Sequence, residues 1–415
     1  MVNEYFEFIS YHGDLLYYIF ELANFCFLAI LALLAYHFNL INVNSLIAWI
    51  GLFSAPLFLN YILFSPYLFP DQFQYASESY SLKSTGNSID NIANQGKISI
   101  IGGIEIANPI TWTVKFLGNV PLPAYMTVTS LAFANKFVLF ATFLWLKKFF
   151  VNENSILLFF LIPSLVLYSS LSLRDNLIIC ISLIFFINIM KDRYLISLIF
   201  LLPLLILKIQ MFAFLGLYFV GRFFFRAHKS IPLLVFYMFI ILLAAFIFQD
   251  MLLNIINGYR YGFAAEDLDL GGGVRGYAAW GLYGDQIKEG LKINSILELI
   301  VIAFIGLPYL LLMPMPWEWS NIFYPIQSAE SIFVIALYFF IAYRNNLFKN
   351  KEFIFLTVIL SISLMCYSLI AFNVGTFVRY RFTLFYPFLV SIFYLSNRPH
   401  SLPKKSSSIT DLKDL

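Results

Sequence analysis

The chain has 415 residues, 61% of them hydrophobic and 12% charged, and its 26 Lys and Arg against 23 Asp and Glu leave a net charge of +3. Soluble domains hold about 45–50% apolar and about 25% charged residues, so the composition excludes a soluble globular protein, and the near balance of charge names no nucleic-acid partner. Apolar runs of about 20 residues recur along the whole length, which excludes disorder, collagen and coiled coil.

Residues 1–14 carry Glu4, Glu7 and Asp14 and no Lys or Arg. A cleavable signal peptide starts basic, so the first apolar run is expected to stay as an anchor. In chain order the apolar runs predict helices at Leu15 to Tyr36, Ser45 to Phe64, Tyr125 to Leu146, Ser155 to Leu173, Asn176 to Met190 and Tyr194 to Leu207. They continue with Met211 to Phe225, Pro232 to Phe248, Ile296 to Met313, Ile326 to Ala342, Phe353 to Phe372 and Phe382 to Leu395. Several are shorter than the roughly 20 residues of a perpendicular span, so their ends are expected to face a polar cavity inside the bundle.

Lys and Arg cluster at Lys147-Lys148, Lys191 with Arg193, Arg222 with Arg226 and Lys229, Arg344 with Lys349 and Lys351, and Arg398 with Lys404-Lys405. The positive-inside rule makes these the cytoplasmic ends and puts 1–14, 66–121, 173–176, 208–210 and 250–294 outside. Two full crossings between 250 and 344 would put Arg344 on the wrong side. One segment is therefore predicted to be re-entrant, the one leading into Pro308, Pro314 and Pro316, because proline frees backbone groups that need a protein setting. The prediction is an all-α integral membrane bundle over 1–396 with eleven crossings plus that re-entrant segment, N-out and C-in, followed by a disordered cytoplasmic tail at 397–415. No internal repeat or inserted soluble domain is visible.

Cys26, Cys180 and Cys366 lie far apart inside apolar runs and read as membrane-buried thiols, and the four histidines, His12, His37, His228 and His400, are solitary. Neither pattern has metal-ligand spacing, so no metal and no other cofactor is expected.

Charged groups in or beside spans are costly and usually face a pathway or a site. On the predicted outer side they are Asp71, Arg174, Asp175, Lys208, Arg379 and Arg381, from four separate turns that a bundle can bring to one face. Asp71, after Pro70, reads as a general base for a sugar hydroxyl, as a group that holds that hydroxyl, or as a helix N-cap. Arg174 ends a hydroxyl-rich run from Pro163 and reads as a phosphate fork or as a local partner of Asp175. Lys208 reads as a phosphate ligand or as a side chain snorkelling to the interface. Arg379 and Arg381, after Gly375, break the positive-inside pattern; they read as ligands of a diphosphate or as an interfacial anchor with Tyr380. Glu21, Lys136 and Glu298 lie inside apolar runs with no partner legible in the sequence. In the second outer loop Arg275, Tyr277 and Trp280 follow Gly271-Gly272-Gly273, a glycine run that lacks the Gly-Lys-Ser/Thr of a nucleotide loop. Its aromatics read as sugar-stacking groups or as interface packing.

With these residues located, the chain resembles the Wzy-type O-antigen or repeat-unit polymerases of bacterial surface-polysaccharide clusters. The resemblance runs through the Asp71 turn, the Pro163 to Asp175 run, Pro314-Met315-Pro316-Trp317 and the Asn373 to Arg381 turn. The Asp71, Gln72 and Tyr75 pattern also looks like the acidic outer turn of GT-C membrane glycosyltransferases, although the large soluble domain many of those carry is absent. The resemblance implies that Asp71 is catalytic, that Arg174, Lys208, Arg379 and Arg381 bind the substrate diphosphate, and that Tyr75, Arg275, Tyr277 and Trp280 bind glycan. It implies a polymerase of polyprenyl-diphosphate-linked oligosaccharide at the outer face of the bacterial inner membrane, with membrane lipid and a chain-length regulator protein as partners. A GT-C transferase using a polyprenyl-phosphate sugar donor, a glycan ligase and a lipid-linked oligosaccharide flippase are the alternatives.

Overall fold

The computed structural model describes residues 15–63, 71–84, 98–100, 104–106, 109–125, 127–228, 249–251, 253–258, 260, 292–319, 323–370 and 374–397. Polar caps start several of the helices. The Asn42 side chain accepts from Ser45 N at 2.8 Å to open α2 (Val43–Phe58), after α1 (Leu15–His37). Pro56 lies inside α2, which runs on into a π turn at Leu59–Leu63. The polar helix α3 (Asp71–Ser84) and α4 (Pro109–Leu117) flank a hairpin of two three-residue strands, β1 (Ile98–Ile100) and β2 (Ile104–Ile106), with Ser99 opposite Glu105. Otherwise the described chain is helical, as an apolar sequence in a membrane requires.

Next come α5 (Ser130–Leu146), α6 (Glu153–Phe160), α7 (Pro163–Ser169), α8 (Asp175–Met190), α9 (Tyr194–Leu207) and α10 (Ile209–His228). The last four are α11 (Ile296–Leu312), α12 (Phe323–Arg344), α13 (Lys351–Ser368) and α14 (Val374–Asn397). Among the described residues five helices are long and apolar enough to cross a membrane: Tyr17–His37, Val43–Leu63, Ser130–Phe149, Tyr324–Arg344 and Lys351–Ser368. The predicted span Pro232 to Phe248 lies outside the described residues.

Helix α8 is the axis of the bundle. It is apolar all round and buried along nearly its whole length, packed on α9, α14 and α5, as expected of a helix with no lipid-facing side. Lipid tails are as apolar as Leu, so what holds such a bundle is close packing and interhelical hydrogen bonding. Trp49 of α2 supplies the packing, with its ring 4.9–5.9 Å from those of Phe53, Phe140, Phe143 and Phe160.

The predicted span Ser155 to Leu173 is not one helix. It breaks between α6 and α7, where Pro163 disfavours the α conformation of Ile162, and Ile162 is extended at φ −58° and ψ 127°. After α7 the chain bends through 171–174, with Leu171, Ser172 and Leu173 buried. Side-chain amides partner its backbone: Asn135 Nδ2 donates to the carbonyls of Leu171 (2.9 Å) and Leu173 (2.8 Å), Asn60 Nδ2 donates to Ser170 O (3.1 Å), and Gln72 Oε1 accepts from Ser172 N (3.1 Å). Lys136 Nζ donates to Ser169 Oγ (2.7 Å) and Val166 O (3.3 Å). Non-helical backbone at membrane depth is stable only with such internal partners.

Pro308 does not end α11; the helix runs through it to Leu312, and the break comes at the cis peptide Met313-Pro314. Ser328, in the second turn of α12, donates to Pro314 O, so the chain leaves α11 beside α12 and comes back alongside itself. Glu298 is a capping group: its carboxylate accepts from Asn294 N (2.8 Å) while Ser295 Oγ accepts from Glu298 N (3.1 Å). Glu21, fully buried, accepts from Thr129.

Candidate functional site

Among the described residues the two ends of α8, about 22 Å apart for its 16 residues, each carry an ionic cluster. At its last turn Arg222 pairs with Glu352 and with Asp192 (3.4 Å) and donates to Met190 O (3.3 Å). Lys147 and Glu153 pair at 3.0 Å, and Lys191 lies over the Phe149 ring at 3.6 Å. These groups all come from the runs read as cytoplasmic.

At its first turn α8 presents Asp175, 1% exposed. Arg379 of α14 donates through Nε to Asp175 Oδ2 (2.5 Å) and through Nη1 to Asp71 Oδ2 (2.8 Å), so one guanidinium joins carboxylates 104 positions apart in the sequence. Lys208 is the single extended residue between α9 and α10, which turns its side chain inward. Its Nζ lies 4.0 Å from Asp175 Oδ1, 3.3 Å from Thr383 Oγ1 and 4.3 Å from the centre of the Tyr380 ring. Lys208 is buried, so it does not snorkel. A cation over an aromatic face in a desolvated site gains about 2 kcal/mol, which offsets part of its burial.

Asp71 opens α3, and its side chain is 49% exposed. Tyr75, one turn on, shares that face of the helix and is buried beside Arg174 and Arg379. Burial raises its phenol above the ordinary value, against the pull of those two cations.

Arg174 differs from the pairing its neighbour Asp175 suggests. Asp175 is taken by Arg379 and Lys208, and Arg174, half-buried, has no hydrogen bond or ion pair among the described residues. Among the described residues three basic groups, Arg174, Lys208 and Arg379, face two carboxylates, which leaves a surplus of basic groups at the rim. That surplus is suited to an anion.

The sequence grouped Arg381 with Arg379, and the structure parts them. Residues two apart on a helix point about 200° apart, so they do not face each other. Arg381 Nη1 donates to the carbonyls of Leu310 (3.1 Å), Leu311 (2.9 Å) and Met313 (2.7 Å), the unsatisfied end of α11. A cation is favoured there by the helix dipole as well. The Arg381 side chain is committed to closing a helix, away from the cluster.

Arg275, Tyr277 and Trp280 lie outside the described residues. The groups the sequence reading missed are the amides Asn60, Asn135 and Asn176, whose signal was an Asn inside an apolar run. Asn176 Nδ2 donates to Asn135 O (2.9 Å), which ties the start of α8 to α5 behind Asp175. In comparison with known proteins, the chain matches no family model, no curated protein and no solved structure. Its functional reading rests on the geometry of this cluster.

Proposed function

We propose that the chain is a membrane glycosyltransferase that polymerises polyprenyl-diphosphate-linked oligosaccharide repeat units at the outer face of the bacterial inner membrane. The observation that carries the reading is the half-exposed Asp71 carboxylate, held by Arg379 near Arg174, which has no ion pair among the described residues. A carboxylate and a guanidinium at one end of the bundle support an oxygen base beside an anion site. Eleven crossings with the N-terminus outside and the C-terminus inside belong to the same reading. The pairing of Lys147, Lys191 and Arg222 at the opposite end of α8 supports that orientation, and the doubling back at Pro314 supports a re-entrant α11.

In this reaction an acceptor sugar hydroxyl attacks the anomeric carbon of the growing glycan. The new C–O bond forms as the bond to the diphosphate oxygen breaks, and the electron pair leaves with polyprenyl diphosphate. Asp71 takes the hydroxyl proton, and Arg379 orients its carboxylate. Arg174, with Lys208 and Arg379 behind it, stabilises the charge that develops on the diphosphate, so the leaving group needs no proton. A planar guanidinium pairs with two phosphate oxygens at once, which an ammonium does not.

The test is the surface glycan of cells carrying Asp71→Asn or Arg174→Ala, resolved as a gel ladder. Both variants should lose long chains and keep a single repeat unit at the surface, and Arg174→Lys should recover chain extension only in part. Loss of every surface unit would indicate transport instead of polymerisation. Normal chains in Asp71→Asn would reduce Asp71 to a structural group.

A further inference from the structure

A cleft of about 720 Å3 in the described structure lies away from the charged cluster. Its floor is the break between α6 and α7, with Phe159 and Ile162 buried there, and Phe393 of α14 closes the back. Its open wall is one stripe of α12, with Phe333, Leu337, Phe340, Ile341 and Arg344 at the spacing of a single helical face. At the deep end α12 is pinned to α7, where Glu330 accepts from Ser164 N (3.0 Å) and Ser164 Oγ (2.9 Å). Beyond that pin the two walls stand apart.

Two observations identify what fits between them. Phe333 and Arg344 are eleven residues apart on α12, about 16 Å, which is half of the roughly 30 Å hydrocarbon core and so the depth of one leaflet. At the mouth Arg344 supplies a basic group. It is exposed and has no ion pair among the described residues, nor have Lys349 and Lys351, which follow it in the chain, while Glu352 is held by Arg222. The amides of Asn345 and Asn397 at the same rim bond to the carbonyls of their own helices.

We infer that this cleft is a binding site for an anionic glycerophospholipid of the leaflet at the Arg222 end, with an acyl chain along Phe333 to Phe340 and its phosphate at Arg344. The bound lipid is a structural ligand that fills the gap between α12 and the α6–α7 break. It is not the proposed glycan donor, because Phe150, next to Lys147 and Lys148, stacks on Phe393 at 5.4 Å and puts the cleft at the end of the bundle opposite Asp71. The inference stands whether or not the polymerase reading holds.

The full chain, purified in mild detergent, is mixed with equal amounts of phosphatidylglycerol and phosphatidylcholine of matched chains, and retained lipid is counted by native mass spectrometry. Wild type should retain one phosphatidylglycerol with a preference of about fivefold or more, the effect of one arginine at an anionic headgroup. Arg344→Ala should lower that preference to near unity, and Leu337→Trp, which fills the cleft, should remove the retained lipid. Equal retention of the two lipids by wild type would overturn the inference, as would an unchanged preference in Arg344→Ala or a prenyl lipid found in the cleft. If Leu337→Trp does not fold, the Arg344→Ala comparison decides.

Discussion

Asp71 and Asp175 share one arginine, yet the structure assigns them opposite energetic roles. Asp175 is 1% exposed and is the anion for both Arg379 and Lys208, whereas Asp71 is 49% exposed. Removing one partner of a buried ion pair costs about 3–5 kcal/mol, because the remaining charge stays buried without compensation. An exposed pair is worth about 0–1 kcal/mol. Asp175→Asn keeps the shape and removes the charge, so it should destabilise strongly, while Asp71→Asn should be nearly silent. Cys180 reports on this directly, since it lies on α8 and is buried, and Cys26 and Cys366 are exposed and can be replaced by Ser. In detergent at a fixed temperature, a maleimide dye should label Cys180 of Asp175→Asn roughly 100- to 4,000-fold faster than wild type, at about tenfold per 1.4 kcal/mol. Labelling of Asp71→Asn should rise by less than about fivefold. Wild-type labelling of Asp175→Asn would refute the view that Arg379 and Asp175 lock the bundle. Equal labelling of the two variants would show that Asp71 is part of the lock.

Arg381→Ala leaves three carbonyls at the end of α11 without their donor, at about 1–3 kcal/mol for each buried group, so the same dye should label it faster. Arg381→Lys should restore both stability and long glycan chains, because an ammonium serves separate carbonyls adequately, in contrast with the partial rescue expected of Arg174→Lys. For orientation, alkaline phosphatase fused after Asn119 should be active, and fusions after Lys148 and Lys351 should be inactive. Activity after Lys351 would remove the re-entrant assignment of α11.

Helix positions were legible because a membrane imposes one strong rule on the sequence, and α1, α8 and α9 begin and end within a residue or two of the apolar runs that predict them. The convergence of Asp71, Asp175, Lys208 and Arg379 was also legible, since charges in an apolar chain need one another. Partner choice was not. Arg174 sits next to Asp175 in sequence and is not its partner, and Arg381 sits two residues from Arg379 and faces another helix. Both outcomes follow from helix geometry that becomes decisive only once the neighbours are in place. The broken course from α6 to α8 was hidden for a similar reason: its carbonyls are satisfied by Asn60 and Asn135, from helices more than 30 residues earlier in the chain.

The Arg379 bridge also sets an order on assembly. Asp175 is made 204 residues before Arg379, so at about 5–20 residues per second it waits roughly 10–40 s for that partner. Through that interval the cations near it among the described residues are Arg174, its neighbour in the chain, and Lys208, made soon after it and 4.0 Å away in the finished fold. These two keep the carboxylate from being the only charge in an apolar setting. The last helix then completes the cluster, and a chain that stops short of α14 is left with its acid and its lysine but without the link that closes the bundle.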